Sequence, residues 1–543
     1  MKRGGLWSLC EGMDKDMKMI YRVERDGSHD QSVYKFVSGL KTQAKDKDDF
    51  YRRLQNTPDK MLPSDCQLIN ITRHEFEKEF SQRWMVSEYL GGKHAIEMAA
   101  KKENRTHGFV PWAGVAAKIG EEYEANMDNS LRRADVYGGK CVSLEGRAFC
   151  FLPLPVKTGL PVHVNAYFEL SSNRRDIWYG DDMAGGGKLR SEWNCCLLKE
   201  VSSCAYVHLL AKMACELGPY EEYFSLWPTG SPPEPWNILL HNVYLSAVEM
   251  DIPLLYTTAR GGLWISPKKA VFPDYSYLQA VELGHALADA GLTIINAPKS
   301  VVSKFEENCP SLRYMRPQML RNSLVRRNHA LNNRTTMLAA LKYCLSDIEK
   351  SEAVEKLEGL PLVPLANGKF GTFSGSRTAE KIFVADEIGF KLLKDKLLDR
   401  IVDPTIELDL LRDLHDIAKI GSINIYPLSA ILLKDLLPTI LPSDWHGKHL
   451  VNWNAAQNVH PTREWMELLW SFFNINSADL SLFLGWPLLP TSDENHLFQL
   501  TKDSSIIVGD RWSENLVNVL QKANCFILSS SFIIEHAQLG EYV

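Results

Sequence analysis

The sequence predicts a mixed α/β (α+β) protein, built from several modules in tandem with β-hairpins and packed helices. Three observations favour this fold class. Val162–Phe168 alternates apolar and polar residues with period two, which is typical of a half-buried strand. Short apolar runs bracketed by prolines recur along the chain, each followed by a turn and an aromatic residue. Between these runs, apolar residues recur at helical spacing.

The first strand-rich segment runs from Gly146 to Trp193. Phe149–Leu154 is an apolar run that ends among prolines, and a Lys-Thr-Gly turn joins it to the alternating strand. The polar residues Ser171–Asp176 follow directly. We therefore expect two strands here and a polar turn at the end of the second.

A short pattern of strand, turn and strand occurs three times farther along the chain. In each copy a proline-bracketed apolar run precedes a turn and an aromatic residue on the return strand, which predicts a hairpin. The three copies are Ile252–Leu255 with Gly261–Trp264, Leu360–Pro364 with Asn367–Phe370, and Trp486–Pro490 with Asn495–Phe498. They lie roughly one domain length apart, which favours repeated α/β modules over a tight solenoid.

Helical patterns fill the intervals between these hairpins. Apolar residues recur on one side of each stretch, and we interpret these stripes as core-facing. The predicted helices are Tyr277–Ala290, Asn328–Lys350, Leu408–Ala418, Leu428–Leu437 and Trp465–Phe473.

These elements suggest four segments. Residues 1–60 are an N-terminal extension of uncertain order, and residues 61–275 form the first α/β module. Residues 276–400 form a module with helices and the LPLVP hairpin. Residues 401–543 form a module with the WPLLP hairpin, which we expect to be incomplete.

Charge and cysteine usage exclude several functions. The 543 residues carry a formal charge of -6 with both signs interspersed, so no basic stripe predicts binding to nucleic acid. The 11 cysteines include no Cys-x-x-Cys pair, which argues against a zinc site and favours a reducing compartment. No stretch approaches the roughly 20 apolar residues of a spanning helix. We expect a protein of the cytosol or the nucleus, without a membrane partner, metal or cofactor.

The polar turn supplies the first candidate site. Arg174 and Arg175 stand beside Asn173 at a strand end, where guanidinium groups can grip a carboxylate or a phosphate. The alternative is a structural salt bridge to Asp176, or to Asp181 or Asp182 nearby. His163 in the strand is more typical of a structural hydrogen-bonding residue than of a catalytic one.

Known nucleotide-binding and catalytic motifs are missing or altered. Glu122–Asp128 resembles the water- and magnesium-positioning motif of chaperone-type ATPases, but its spacing is wrong by one residue. Lys188 follows three glycines yet precedes leucine, so the P-loop pattern fails. No serine elbow or His-Glu-x-x-His helix occurs. The sequence therefore predicts no catalysis within this chain.

One stretch of the sequence resembles the sacsin family. These are very large chaperone-like proteins whose repeated regions each begin with an ATPase-like domain. The family pattern is FLPLP-x-x-TGLPVHVN-x-x-F-x-LSSNRR-x-IW. This sequence carries it as Phe151–Pro155, Thr158–Asn165, Phe168, Leu170–Arg175 and Ile177–Trp178, with Pro111–Ala116 upstream and Glu192–Asn194 downstream. The resemblance extends over about 62–543.

This resemblance implies a region that follows an ATPase-like head. It implies a sensing role for Asn173, Arg174 and Arg175, towards a terminal phosphate or a neighbouring domain. His163, Asn165, Trp178 and Trp193 fall within or beside the same motif, and we expect them to have structural or interaction roles.

We therefore predict a non-enzymatic scaffold and protein-interaction surface of a sacsin-like chaperone or co-chaperone. The expected partners are unfolded client proteins, chaperone machinery and an ATPase-like domain in cis. Two alternatives stay open: a degenerate or active chaperone-type ATPase, and an adaptor region of a ubiquitin-ligase-linked protein.

Overall fold

The computed structural model describes most of the chain. The described residues are 19–26, 33–58, 62–75, 78–125, 144–180, 186–277, 280–326, 331, 333–348, 356–376, 379–457, 459–502, 506–509, 514–523, 526–529 and 538. The chain divides into two compact units, Met1–Met315 and Arg316–Val543. The predicted division into four segments stays a prediction.

The first unit contains nine strands in its described part. They are β1 (Met19–Asp26), β2 (Ser64–Glu75), β3 (Lys78–Leu90), β4 (Trp112–Ala125), β5 (Arg147–Cys150), β6 (Leu152–Lys157), β7 (His163–Ala166), β8 (Leu255–Thr257) and β9 (Leu263–Ile265). Its helices are α1 (Val33–Gln43), α2 (Lys47–Asn56), α3 (Lys93–Ala100), α4 (Gly187–Cys196), α5 (Ser203–Leu217), α6 (Glu221–Phe224), α7 (Trp236–Glu249), α8 (Ala280–Asp289) and α9 (Lys299–Asn308).

Seven strands form one sheet in the order β1-β2-β3-β4-β7-β5-β6. The pairs are antiparallel except β5 with β7, where Ala148 and Phe149 run parallel to Val164 and Asn165. The two strands predicted on either side of the Lys-Thr-Gly turn are β6 and β7. They are not neighbours in the sheet, because β5 lies between them.

The core of this unit lies between one face of the sheet and the helices. Strand residues alternate between the two faces, and Val164 and Ala166 of β7 point into this core. Trp193, Trp227 and Trp236 are fully buried there. A π-helical segment, Leu197–Ser202, connects α4 to α5. Such segments insert one wide turn into an otherwise α-helical run.

The second unit contains smaller sheets, of two or three strands each, together with seven helices in its described part. Its described strands are β10 (Val363–Pro364), β11 (Phe370–Gly371), β12 (Ile382–Val384), β13 (Ile425–Pro427), β14 (Leu450–Asn452), β15 (Pro487–Pro490), β16 (His496–Gln499), β17 (Ile506–Gly509) and β18 (Phe526–Ser529). Its described helices are α10 (Pro317–Arg326), α11 (Arg334–Leu345), α12 (Glu387–Leu397), α13 (Leu408–Ile420), α14 (Ala430–Ile440), α15 (Arg463–Ile475) and α16 (Glu514–Lys522).

The core of the second unit is rich in tryptophan whose indole nitrogen has a backbone acceptor. Trp465 donates to the Leu392 carbonyl at 2.9 Å, and Trp470 donates to the Leu488 carbonyl at 2.9 Å. Arg321 is also buried, and its guanidinium donates to both carboxylate oxygens of Asp347 at 2.5 and 3.1 Å. These buried donors therefore keep hydrogen-bond partners inside the unit, although the Nε of Arg321 has none among the described residues.

The predicted fold class is confirmed, since helices and small mixed sheets alternate through both units. All three predicted hairpins form antiparallel pairs: β8 with β9, β10 with β11, and β15 with β16. The five predicted helices correspond to α8, α11, α13, α14 and α15. No helix in the described ranges is both long and apolar enough to cross a bilayer.

Candidate functional site

The candidate arginines lie at the tip of a tight turn, Ser171–Asp176, which we call the basic turn. The Ser171 amide donates to the Asp176 carbonyl at 2.9 Å, and the Arg174 amide donates to the Ser171 carbonyl at 2.8 Å. Asn173 organises the tip, because its Oδ1 accepts from the Ser171 hydroxyl at 2.7 Å and from the Arg175 amide at 3.0 Å. The short polar side chains therefore fix the backbone of the turn.

Both guanidinium groups of the basic turn are exposed. Neither Arg174 nor Arg175 has an ion pair or side-chain hydrogen bond within the described chain. The Asp176 carboxylate accepts from the Ile177 amide at 2.7 Å, so the proposed salt bridge to Asp176 does not form. Asp181 and Asp182, the other acids considered as partners, lie outside the described residues. Arg174 also adopts a left-handed φ of 53°.

The base of the basic turn is held by a buried asparagine on α4. Asn194 accepts from the Glu169 amide at 2.8 Å, and its Nδ2 donates to the carbonyls of Glu169 at 2.7 Å and Trp178 at 2.9 Å. Its side chain is completely buried. Because one side-chain amide hydrogen-bonds the backbone on both sides of the turn, Asn194 fixes the two chain segments that flank the turn relative to α4.

The two candidate tryptophans flank this clamp. Trp193 is fully buried, donates to the Tyr167 carbonyl at 2.9 Å, and stacks on Phe109 with ring centroids 4.3 Å apart. Trp178 is half-buried and lies 5.4 Å from the Arg190 guanidinium. These contacts give both residues structural roles at the base of the turn.

His163 lies on the sheet face opposite the helices. Its Nδ1 accepts from the Arg147 amide at 3.0 Å, and its ring stacks on Trp84 with centroids 5.3 Å apart. Burial, followed by the nearby charge of Arg147, lowers the pKa of His163 to about 4. A neutral ring can accept this backbone hydrogen bond, and the structural role of His163 stays a prediction.

The pKa of His163 predicts a loss of stability in mild acid. Its folded pKa is depressed from an ordinary value of 6.5 to about 4, so the unfolded chain binds a proton more readily. This contribution to stability is complete above pH 6.5 and disappears as the pH falls towards 4. We expect His163→Gln to flatten the fall in unfolding free energy over this window, measured by urea unfolding at several pH values. Parallel curves for the two proteins would contradict this assignment.

Asn165 holds the tight bend between β5 and β6. It is 1% exposed, and its Oδ1 accepts from the Phe151 amide at 3.1 Å. Phe151 is the apex between β5 and β6, because Cys150 and Leu152 are direct strand partners on either side of it. Phe151 has a φ of 62°, an unusual conformation for a bulky side chain. The Nδ2 of Asn165 is buried without an acceptor.

Gly146 lies where β5 begins, enclosed by the loop that leads to β7. Its amide donates to the Leu160 carbonyl at 2.9 Å, and its carbonyl accepts from the Thr158 amide at 2.9 Å. A side chain at this position would lie 2.3 Å from the carbonyl oxygens of both Leu160 and Val162. The position therefore admits only glycine.

The rejected ATPase-like motif begins within a strand of the sheet. Glu122–Ala125 belongs to strand β4 and not to a helix, and 126–128 lie outside the described residues. Gly185 of the glycine run is also outside them, while Lys188 is the second residue of α4 and its Nζ lies 4.0 Å from Oε1 of Glu192. Within the described ranges, no group of three or more His, Cys, Asp or Glu side chains could hold a metal.

Three residues of this region were not predicted from the sequence: Asn194, Phe151 and Gly146. Asn194 stands next to Trp193 in the motif, which was the only available signal. Gly146 precedes the apolar run Phe149–Leu154 and Phe151 lies inside it, but neither the left-handed backbone of Phe151 nor the loop that encloses Gly146 leaves a periodic signature in the sequence. The structure brings Phe151, Asn165 and the basic turn to one end of the sheet through β5, β7 and the residues after β7.

Comparison with known proteins agrees with the motif. The chain is 24% identical to human sacsin over 534 residues, an alignment covering 90% of this chain and 11% of sacsin. The chain thus spans about a tenth of the length of this relative. No family model matches the chain, and no solved structure matches it. The similarity to sacsin extends over nine tenths of the sequence, and the chain is sacsin-like.

Proposed function

We propose that this chain is a non-catalytic, chaperone-related scaffold whose basic turn is a protein-interaction surface. The observation that carries the proposal is the contrast within one hairpin. The base of the turn is clamped by Asn194, whereas Arg174 and Arg175 at its tip are exposed and pair with no carboxylate among the described residues. Charged groups held on a fixed backbone, without an internal role, are suited to recognising another molecule.

The proposal extends to the partners and the setting. Its partners are unfolded client proteins and the chaperone machinery, with an ATPase-like domain in cis as a further contact of the basic turn. Catalysis, nucleic-acid binding and membrane binding are not part of the proposed function. The proposed location is the cytosol or the nucleus. The similarity to sacsin and the mixed signs of the surface charge support this proposal.

Replacing both arginines tests the interaction role. We expect Arg174→Ala with Arg175→Ala to leave the unfolding free energy within about 0.5 kcal/mol, since both side chains are exposed and neither forms an ion pair with a described residue. We expect the same variant to protect a client less well, measured as light scattering of insulin aggregated by dithiothreitol. Protection is compared per folded molecule.

The matched control removes two exposed cations elsewhere. Arg412→Ala with Lys419→Ala changes the net charge equally on α13, and client protection should remain unchanged. An equal loss of client protection in both double variants would mean that net charge, and not the basic turn, causes the loss. Lost stability in the first variant would mean that the arginines stabilise the fold, which contradicts the proposal. Nucleotide titration of the original protein tests the rival ATPase function.

A further inference from the structure

The apex of the β5–β6 hairpin presents apolar side chains to solvent. Phe151 is 47% exposed and Leu152 is 75% exposed, although both follow a well-packed strand. Phe151 keeps this position in a left-handed backbone conformation, which is strained for a bulky side chain. Two contacts hold Phe151 in this conformation. Its amide donates to Oδ1 of Asn165, and its ring packs edge-to-face against Tyr167 with centroids 4.6 Å apart. Strain that the surroundings enforce is characteristic of sites with a function.

The basic turn lies beside this apex. The Cys150 thiol, next to Phe151, donates to the Phe168 carbonyl at 3.5 Å, just before the basic turn. Burial raises the pKa of Cys150, and the charge of Arg174 acts on the same thiol in the opposite direction. The hydrogen bond from Cys150 therefore ties the residue before the apex to the chain three residues before Ser171, where the basic turn begins. An exposed apolar pair and two exposed guanidinium groups share one end of the sheet.

The outer edge of the sheet limits how a partner can bind here. β6 is the edge strand, and its sequence Leu152–Lys157 contains Pro153 and Pro155, which have no amide hydrogen to offer. Prolines on an edge strand oppose the addition of another strand. Recognition must therefore depend on side chains, with apolar groups meeting Phe151 and Leu152 and carboxylates meeting the guanidinium groups.

We propose that Phe151, Leu152, Arg174 and Arg175 form a docking surface for a short peptide segment that carries apolar residues flanked by acidic ones. This inference rests on the proposed function, because it names the chemistry that the basic turn recognises in a client or partner protein. Guanidinium groups pair with carboxylates in a two-pronged geometry, and exposed aromatic side chains supply apolar contact. The positive charge of the pair complements an acidic segment and repels a basic one.

Fluorescence anisotropy with three labelled peptides tests the surface. The first probe is acetyl-Asp-Asp-Leu-Phe-Asp-Asp-amide, the second replaces each Asp with Lys, and the third replaces Leu and Phe with Ser. We expect the full chain to bind the first probe and to bind the third at least about tenfold more weakly. The second probe should show no detectable binding. Added salt should weaken binding of the first probe, because exposed charge pairs are screened.

Two variants separate the apolar and charged parts of the surface. Phe151→Gly removes the ring while providing the residue that adopts a positive φ most easily, so the fold should persist. We expect it to weaken the first probe about tenfold, and Arg174→Ala with Arg175→Ala to weaken it and to reduce its salt dependence. Exposed Leu408→Ala on α13 is the matched apolar control and should leave binding unchanged.

The outcomes also distinguish this inference from the proposed function. If client protection depends on the arginines but no variant changes peptide binding, the docking surface is wrong and the proposed function stands. If sodium tripolyphosphate binds in an arginine-dependent manner that Phe151→Gly does not alter, and the first peptide does not bind, the turn recognises phosphate instead. Peptide binding without arginine-dependent client protection would contradict the proposed function alone.

Discussion

Gly146→Ala is expected to destabilise the first unit by more than about 3 kcal/mol, enough to prevent folding of a marginally stable unit. The added methyl group would lie 2.3 Å from two carbonyl oxygens and 2.6 Å from the Thr158 hydroxyl. Both carbonyls belong to backbone between β6 and β7, so they cannot rotate away as a flexible side chain would. Moving that loop would also break the two backbone hydrogen bonds of Gly146.

Urea unfolding followed by far-ultraviolet circular dichroism measures this loss. The matched control is Gly39→Ala, because Gly39 lies inside α1 and an added methyl group there meets nothing within 4 Å. Alanine is the better helix former by roughly 1 kcal/mol, so the control should be neutral or slightly stabilising. A Gly146→Ala protein as stable as the Gly39→Ala protein would show that the loop yields, contrary to our expectation.

Asn194→Ala is expected to destabilise the first unit by about 3 kcal/mol and to loosen the basic turn. The substitution removes the hydrogen-bond partners of the Glu169 amide and the Trp178 carbonyl. Buried polar groups that lose their partners cost about 1–3 kcal/mol each, while the smaller alanine also leaves a void beside Trp193. Unlike the arginine substitutions, this change should reduce both stability and client protection.

Asn237→Ala provides the control for that prediction. Asn237 is an exposed asparagine of the same unit, in the first turn of α7, and its replacement should change the unfolding free energy by less than about 0.5 kcal/mol. Urea unfolding gives the stability, and hydrogen exchange of the Ser171 and Arg174 amides reports on the turn. Unchanged exchange at these amides in Asn194→Ala would mean that the turn keeps its shape without the clamp.

The local signals of the sequence predicted much of the fold. Proline brackets located the three hairpins because prolines limit where a strand can extend, and apolar spacing located the helices because each buries one face. The alternation around His163 predicted β7 correctly. In each case the decisive interactions lie within a few residues of one another.

The missed features depend on partners that are distant along the chain. The apolar run at Phe149–Leu154 reads as one strand, but it bends at Phe151 because Asn165 of β7 captures the Phe151 amide. Asn194 stabilises the turn through hydrogen bonds to backbone atoms of Glu169 and Trp178, which only the folded hairpin brings together. The exposure of Arg174 and Arg175 likewise follows from the turn geometry, and neither pairs with Asp176, a salt bridge that the sequence left open.

The π-helical segment Leu197–Ser202 has a consequence for the long helical rod that it interrupts. One additional residue in a turn advances the register of everything after it by about 100°. Before it, Trp193 must reach the Tyr167 carbonyl; after it, Tyr206 must reach the Leu226 carbonyl at 2.6 Å. The π-helical segment thus sets the rotation of α5 relative to α4. Deleting one residue from it would rotate Tyr206 relative to Trp193, so that both could not keep their hydrogen bonds.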